Sequence, residues 1–241
     1  MPTIAIVGAG PQLGFAIGAK FAEKGGFNVA LVARRASQLA AMVDRFRSAG
    51  VSAAAFPADV TDRPGLSKAL AAAEEHFGSV DVLEYSPAPT LPDLAERPLV
   101  SAVDLTVEAV LPELETYFFG AVAAVRQVLP GMIERGAGTI VGTSGAGSGP
   151  MVVPQVAGAN AANAALRNWL LALNESVAGR GVHVAHIALG AQIGSGRPDS
   201  EPDVIADLYW KAHVERDAPE VFHYDLPEAF EFQLADKFRT D

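Results

Sequence analysis

Along this chain, short runs of β-branched and other apolar residues alternate with longer stretches in which apolar positions recur every three or four residues. TIAIVG, FNVALVA, VSAAAFPAD, VDVLEYS, GTIVGTS and VHVAHIALG are short and almost continuously apolar, the pattern of strands covered on both faces. Between them the helical period predicts one helix from about Gln12, another from Ala36, and a third over RPGLSKALAAAEEHF. A long helical region ends in YFFGAVAAVRQVLPGMIERG, and a further helix holds GANAANAAL. Six strands separated by helices predict an α/β fold, a doubly wound parallel sheet with helices on both faces. EVFHY supplies a seventh strand after the helix DVIADLYWKAHVERD, whose Leu208, Tyr209, Trp210 and His213 suit packing on the sheet edge or covering a substrate side.

The Pro- and Gly-rich passages SPAPTLPDLAERP, SGAGSGPMVVP and GAQIGSGRPDSEP fall between strands and helices, at the carboxyl ends where such sheets bind ligands. There is no internal repeat or linker, so residues 1–241 read as a single domain. Half of the residues are hydrophobic and 19% charged, which excludes disorder, while no apolar run approaches the ~20 residues of a membrane span. A net charge of −10 argues against general nucleic-acid binding. The absence of cysteine excludes disulfides and thiolate chemistry. MPTIAIVGAG has no secretory pattern and reads directly as a strand, so the expected location is cytoplasmic.

Candidate chemistry begins at GAGPQLG. A turn that brings backbone N–H groups and a helix N-terminus to a pyrophosphate needs residues without a Cβ, which Gly8, Gly10 and Gly14 provide, with Gln12 and Leu13 completing the turn. A tight turn serving packing alone is the alternative. The second strand ends in LVARRASQL, placing Arg34 and Arg35 where a dinucleotide fold meets the adenosine ribose; guanidinium groups there favour a 2′-phosphate and hence NADP over NAD. The other reading of the two arginines is simple solvation of the next helix. In PADVTD, Asp59 offers an acceptor for the adenine amino group and Val60 an amide donor.

These stations, together with VLPGMIERGAGTIVGTS and LALNESVAGRGVHV, resemble the short-chain dehydrogenase/reductase family over nearly the whole chain to about residue 190. The resemblance implies a Rossmann-type sheet, a nicotinamide dinucleotide cofactor, a small-molecule substrate and oxidoreductase activity. It also implies a Tyr-x-x-x-Lys pair in the helix after strand five, but a gapless alignment puts Ala159 and Asn163 at those positions, and no Tyr or Lys occurs from Phe119 to Asp207. Asn163 keeps the ability to bond a ribose hydroxyl; Ala159 can donate no proton. Val7 and Gln12 replace the family's threonine and second glycine, and Tyr85 to Ala88, with Ser86 beside the cofactor, replaces its Asn-Asn-Ala-Gly. Tyr117 replaces the asparagine of helix four, Ser144 stands for the serine that polarises the substrate, and Leu189-Gly190 replaces Pro-Gly.

General acid catalysis is worth typically 10²–10⁴ in rate, so a site without its phenol needs a substitute. Three readings follow. Tyr117 or Tyr85 takes over beside Ser144, each weighed against plain packing or a pocket wall. Alternatively, hydride goes to an activated double bond, or with water as the proton source. In the third, the chain is a non-catalytic NADP(H)-binding sensor or assembly protein. Histidines have little part in any of these: His183 and His186 point to opposite faces of one strand and cannot share a metal, while His76, His213 and His223 are isolated. A Ser-His-Asp hydrolase is set aside because GTSGAG lacks the nucleophile-elbow context.

The helices around 106–135 and 154–179 are apolar around much of their circumference, which predicts a homodimer or homotetramer, with Asn160 near the interface. The family resemblance implies a four-helix bundle from the same two helices. EAFEFQLADKF reads as a last amphipathic helix or an interface arm.

Overall fold

The computed structural model describes residues 1–225, so the tail helix expected in EAFEFQLADKF lies outside the described residues. The chain runs β1 (Thr3–Val7), α1 (Leu13–Gly25), β2 (Asn28–Val32), α2 (Ala36–Ser48), β3 (Ala53–Ala55), α3 (Arg63–Phe77), β4 (Val82–Tyr85) and a short α4 (Leu91–Glu96). Then follow α5 (Val107–Glu113), a π-helical segment (Leu114–Phe119), α6 (Gly120–Arg135), β5 (Gly138–Gly145), α7 (Ala157–Val177), β6 (Val182–Ala191), α8 (Pro202–Glu215) and β7 (Glu220–Asp225).

All seven strands are parallel, in the order β3-β2-β1-β4-β5-β6-β7, as a doubly wound α/β sheet requires. Every residue of β1, β2 and β4 is buried, because helices lie on both faces of the sheet. One apolar layer joins α3, α6 and α7 to the sheet through residues such as Leu70, Val128 and Leu170. The other joins α1, α2 and α8 through Ile17, Phe46 and Tyr209. The α8 helix packs on the sheet edge: Trp210 meets Phe21 and Phe27 edge-on, and the Tyr209 phenol bonds Thr143 Oγ1 at 2.8 Å.

Asp62 starts α3 by accepting from the Gly65 amide at 3.1 Å, with Pro64 in the first turn where no amide is needed. The long helix expected before β5 is broken. Pro112 lies inside α5, and the chain widens into the π segment before α6 resumes. The Tyr85 phenol donates to the Thr116 carbonyl of that segment at 2.5 Å. Gly120, one turn on, leaves the room this needs, since a Cβ there would stand 2.3 Å from the phenol oxygen.

Candidate active site

At the carboxyl ends of β1, β2 and β4 lies a cavity of about 710 Å³, where the strand order reverses. The β1–α1 turn forms its floor with Gly8, Gly10 and Gln12. Gly8 has φ +93°, and a Cβ on it would stand 2.5 Å from Pro87 N, so only glycine fits between the two loops. The Gly8 and Ala9 amides both donate to the Val32 carbonyl, and Pro11 has no amide. The anion-binding donors are therefore in the first turn of α1, at Leu13 and Gly14, whose N–H groups lack intrahelical acceptors. Neither residue's side lines the cavity; a Cβ on Gly14 would lie 3.1 Å from Ala9 Cα, so this glycine serves packing. The Gln12 amide reaches the loop after β6, 2.6 Å from where a Gly194 Cβ would be.

Arg34, Arg35, Asp59 and Val60 all line the cavity, as their positions in the sequence predict. Arg34 is not free, however: its Nη2 lies 2.6 Å from Asp93 Oδ2, which also accepts from the Thr90 amide and hydroxyl at 2.8 and 2.7 Å. Those donors hold the Asp93 carboxyl well below the usual carboxylate range, Arg34 contributing most. Arg35 has no ion pair among the described residues. Asp59 Oδ1 accepts from the Thr61 amide and hydroxyl at 2.9 and 2.8 Å, which shapes the turn after β3.

Ser86 does not line the cavity; its hydroxyl donates to Glu84 Oε2 at 2.9 Å. Glu84 is 1% exposed, accepts also from Thr143 at 3.0 Å, and is pushed up to about 8 by burial. Tyr85 is equally buried and faces the π segment, not the cavity. Tyr117 does line it, but burial, with Glu113 nearby, raises its phenol above the ordinary value. The structure thus brings Tyr117 to the cofactor cavity and leaves Ser144 outside the lining.

On α7, Ala159 and Asn163 are both buried, and Asn163 Oδ1 has no hydrogen-bond partner. Asn160 has a local task instead of an interface one: its Nδ2 donates to the Val153 carbonyl at 3.0 Å, anchoring the loop before the helix.

Ser144 belongs to a buried chain that includes a histidine the sequence left without a role. Its Oγ lies 2.7 Å from Ser148 Oγ and 2.7 Å from His186 Nε2. His186 Nδ1 lies 3.0 Å from Glu220 Oε1, and Arg167 clamps Glu220 through Nε and Nη2 at 2.5 and 2.7 Å. Burial lowers the His186 imidazole from its ordinary value, against the pull of Glu220. The strand register makes this chain: Gly142 pairs with His186, and His186 with Glu220. The only signal in the sequence was a polar residue within each of three apolar strands. His183 is buried away from it, with Arg216 and Asp217 as its charged neighbours, so the opposite orientation of the two histidines holds. No group of three potential metal ligands occurs among the described residues.

The sequence pattern of the short chain dehydrogenase family matches residues 2–194. The 2-(S)-hydroxypropyl-CoM dehydrogenase 3 of Xanthobacter autotrophicus is 30% identical over 97% of this chain and 89% of its own length. A glycine betaine reductase of Emericella nidulans is 29% identical over 77% of this chain, which spans 14% of that protein. The L-sorbose reductase of Gluconobacter frateurii, solved with NADPH and L-sorbose, shares the fold with a TM-score of 0.77 at 20% identity, covering 92% of this chain and 95% of that one. With its seven parallel strands and its glycine turn at the first strand–helix junction, this chain belongs to the short-chain dehydrogenase family.

Proposed function

We propose that this protein is an NADP(H)-dependent oxidoreductase acting on a small carbonyl or alcohol, with a proton-handling site unlike its family's. The observation that carries the reading is the single cavity that joins the Gly8–Gly14 turn to Arg34 and Arg35. The residues present fit the dinucleotide. First-turn amides of α1 face the pyrophosphate, Arg35 and Arg34 the 2′-phosphate, and Asp59 and Val60 the adenine. The buried, unpartnered Oδ1 of Asn163 suits a ribose hydroxyl, which would donate to it. A bound 2′-phosphate takes the place of Asp93 on Arg34, an exchange made easy because the exposed pair is worth at most about 1 kcal/mol.

When bound, NADP(H) supplies or accepts a hydride at its nicotinamide ring. The chain's part is to position it, to exclude water and to handle the proton at the substrate oxygen, with Ser144 at the end of β5 and Asn163 in α7. Tyr117 is a cavity wall in this reading, since catalysis favours an acid brought toward neutral pH and its surroundings push its phenol the other way. The names of the Xanthobacter dehydrogenase and the sorbose reductase support the same reaction class. The working unit is a dimer or tetramer through α6 and α7, in a cytoplasmic setting.

Fluorescence titration tests this. NADPH binds the wild type, and the Arg34→Ala/Arg35→Ala double variant binds it about 10–100-fold more weakly with little change for NADH, the loss of a charge-assisted contact or two. No affinity for either dinucleotide overturns the reading. Binding without NADPH oxidation across ketones, quinones and enones supports a cofactor sensor instead.

A further inference from the structure

The reading above leaves open which group yields the proton that Ala159 cannot. The buried hydrogen-bonded chain behind β5 answers it. We propose that His186 holds that proton and delivers it through Ser144 and Ser148 to the oxygen of a carbonyl substrate. Ser148 is the catalytic group that meets the substrate; Ser144 and His186 act through it, and Glu220 and Arg167 position and charge the imidazole.

The links are continuous, at 3.0 Å from Glu220 to His186, 2.7 Å to Ser144 and 2.7 Å to Ser148. His186 is fully enclosed, and the two serines are 6% and 5% exposed, so water does not short-circuit the chain. It climbs from the middle of β6 toward the carboxyl end of β5 and the turn beyond, the side on which a doubly wound sheet binds ligands. Its polarity suits delivery. Ser144 donates to Ser148, so Ser144 accepts from His186 Nε2–H while Nδ1–H faces the Glu220 carboxylate. The charged groups facing the imidazole are Glu220 from β7, which favours imidazolium, and Arg167 from α7, which opposes it; β5 contributes only the Ser144 hydroxyl, and the Phe222 ring lies 6.5 Å away. Enclosure makes the imidazolium a readier donor than a free one.

In the step, hydride adds to the carbonyl carbon, and the C=O π pair moves to oxygen and takes the Ser148 hydroxyl proton. The new O–H bond forms as Ser148 takes the Ser144 proton and Ser144 takes that of His186 Nε2. Neutral imidazole remains, its Nδ1–H on Glu220, and regains a proton from water once product has left. The reductant is the NADPH of the preceding reading, on which this inference rests.

Two measurements on the same samples test it: ¹⁵N–¹H spectra that follow His186 protonation in the NADPH-bound protein, and the pH profile of kcat for carbonyl reduction. The rate falls as pH rises through the His186 midpoint, which lies below the ordinary value of about 6.5. Glu220→Gln removes the anion that favours imidazolium and lowers both midpoints together. Ser148→Ala and His186→Gln reduce kcat about 10²–10⁴-fold with NADPH affinity unchanged, whereas Tyr117→Phe does neither. A rate profile that does not follow the His186 midpoint overturns the inference, as does full activity in Ser148→Ala. NADPH binding without turnover overturns this inference alone; no NADPH binding overturns the parent reading with it.

Discussion

Glu84 stands on β4 in the middle of the sheet, partnered by the hydroxyls of Ser86 and Thr143. Hydroxyl donors offset little of what it costs to enclose a carboxylate, so the group is held protonated up to about pH 8, against 4.5 for an ordinary glutamate. Between those two values the unfolded chain ionises while the folded one keeps its proton. This residue therefore costs nothing at low pH, and stability falls progressively as pH rises from about 4.5 toward 8. Glu84→Gln keeps the hydrogen bonds and removes the titration. Denaturant melts should show the variant gaining a few kcal/mol over wild type at pH 8 and little at pH 4.5; equal curves at both would mean that Glu84 is ionised in the fold. The sequence displayed this residue openly as the one acid in VDVLEYS, but its partner Thr143 lies on the neighbouring strand. The same holds for Ser144, His186 and Glu220: each was visible as a polar residue in an apolar strand, and their contact depends on register. The glycine turn and the arginine pair were legible because both are local, each at the end of one strand. The Arg34–Asp93 pair was not, since it joins residues 59 positions apart.

At the scale of elements, periodicity places the helices and strands well wherever a single helical or strand period governs. It misses the π segment because no side-chain repeat encodes it. That segment exists where three residues meet: Pro112 disturbs the ladder, Tyr85 donates to the Thr116 carbonyl, and Gly120 makes room for the phenol. Gly120→Ala drives a methyl to within 2.3 Å of the Tyr85 oxygen and 2.8 Å of the Val60 carbonyl. Overpacking of this kind costs typically about 1–3 kcal/mol. Tyr85→Phe alone loses one hydrogen bond, but in the Gly120→Ala background it relieves the worse of the two clashes. A double-mutant cycle by chemical denaturation should give a favourable coupling between the two changes. Additive effects would show that the phenol and the widened turn are independent. Since Tyr117 sits in the same segment and Val60 carries the adenine side of the cavity, Gly120→Ala should also weaken NADPH binding.

For the whole molecule, the sheet order followed from the alternation of strands and helices, because parallel pairing with short connections leaves few arrangements. Assembly depends on a surface that one chain does not complete. Phe119, Val122 and Ala123 line a shallow depression with Arg63 and Arg126, on the helices α3 and α6. Phe118 and Trp169, edge-on to one another between the π segment and α7, are only partly buried. Helices that carry apolar side chains at this level of exposure gain by burying them against a second copy, at roughly 25 cal/mol per Å² removed from water. A two-fold arrangement sets identical helices face to face, and a chain with a net charge of −10 needs such an apolar contact to overcome its self-repulsion. Light scattering at micromolar concentration should give the mass of a dimer or tetramer, insensitive to salt because the contact is apolar. Val122→Asp, which places four or more like charges at the symmetric contact of a tetramer and two in a dimer, should release monomers that still bind NADPH, since residue 122 lies outside the cofactor cavity. A wild-type monomer would sink the assembly, and an unchanged mass in the variant would move the interface to another face.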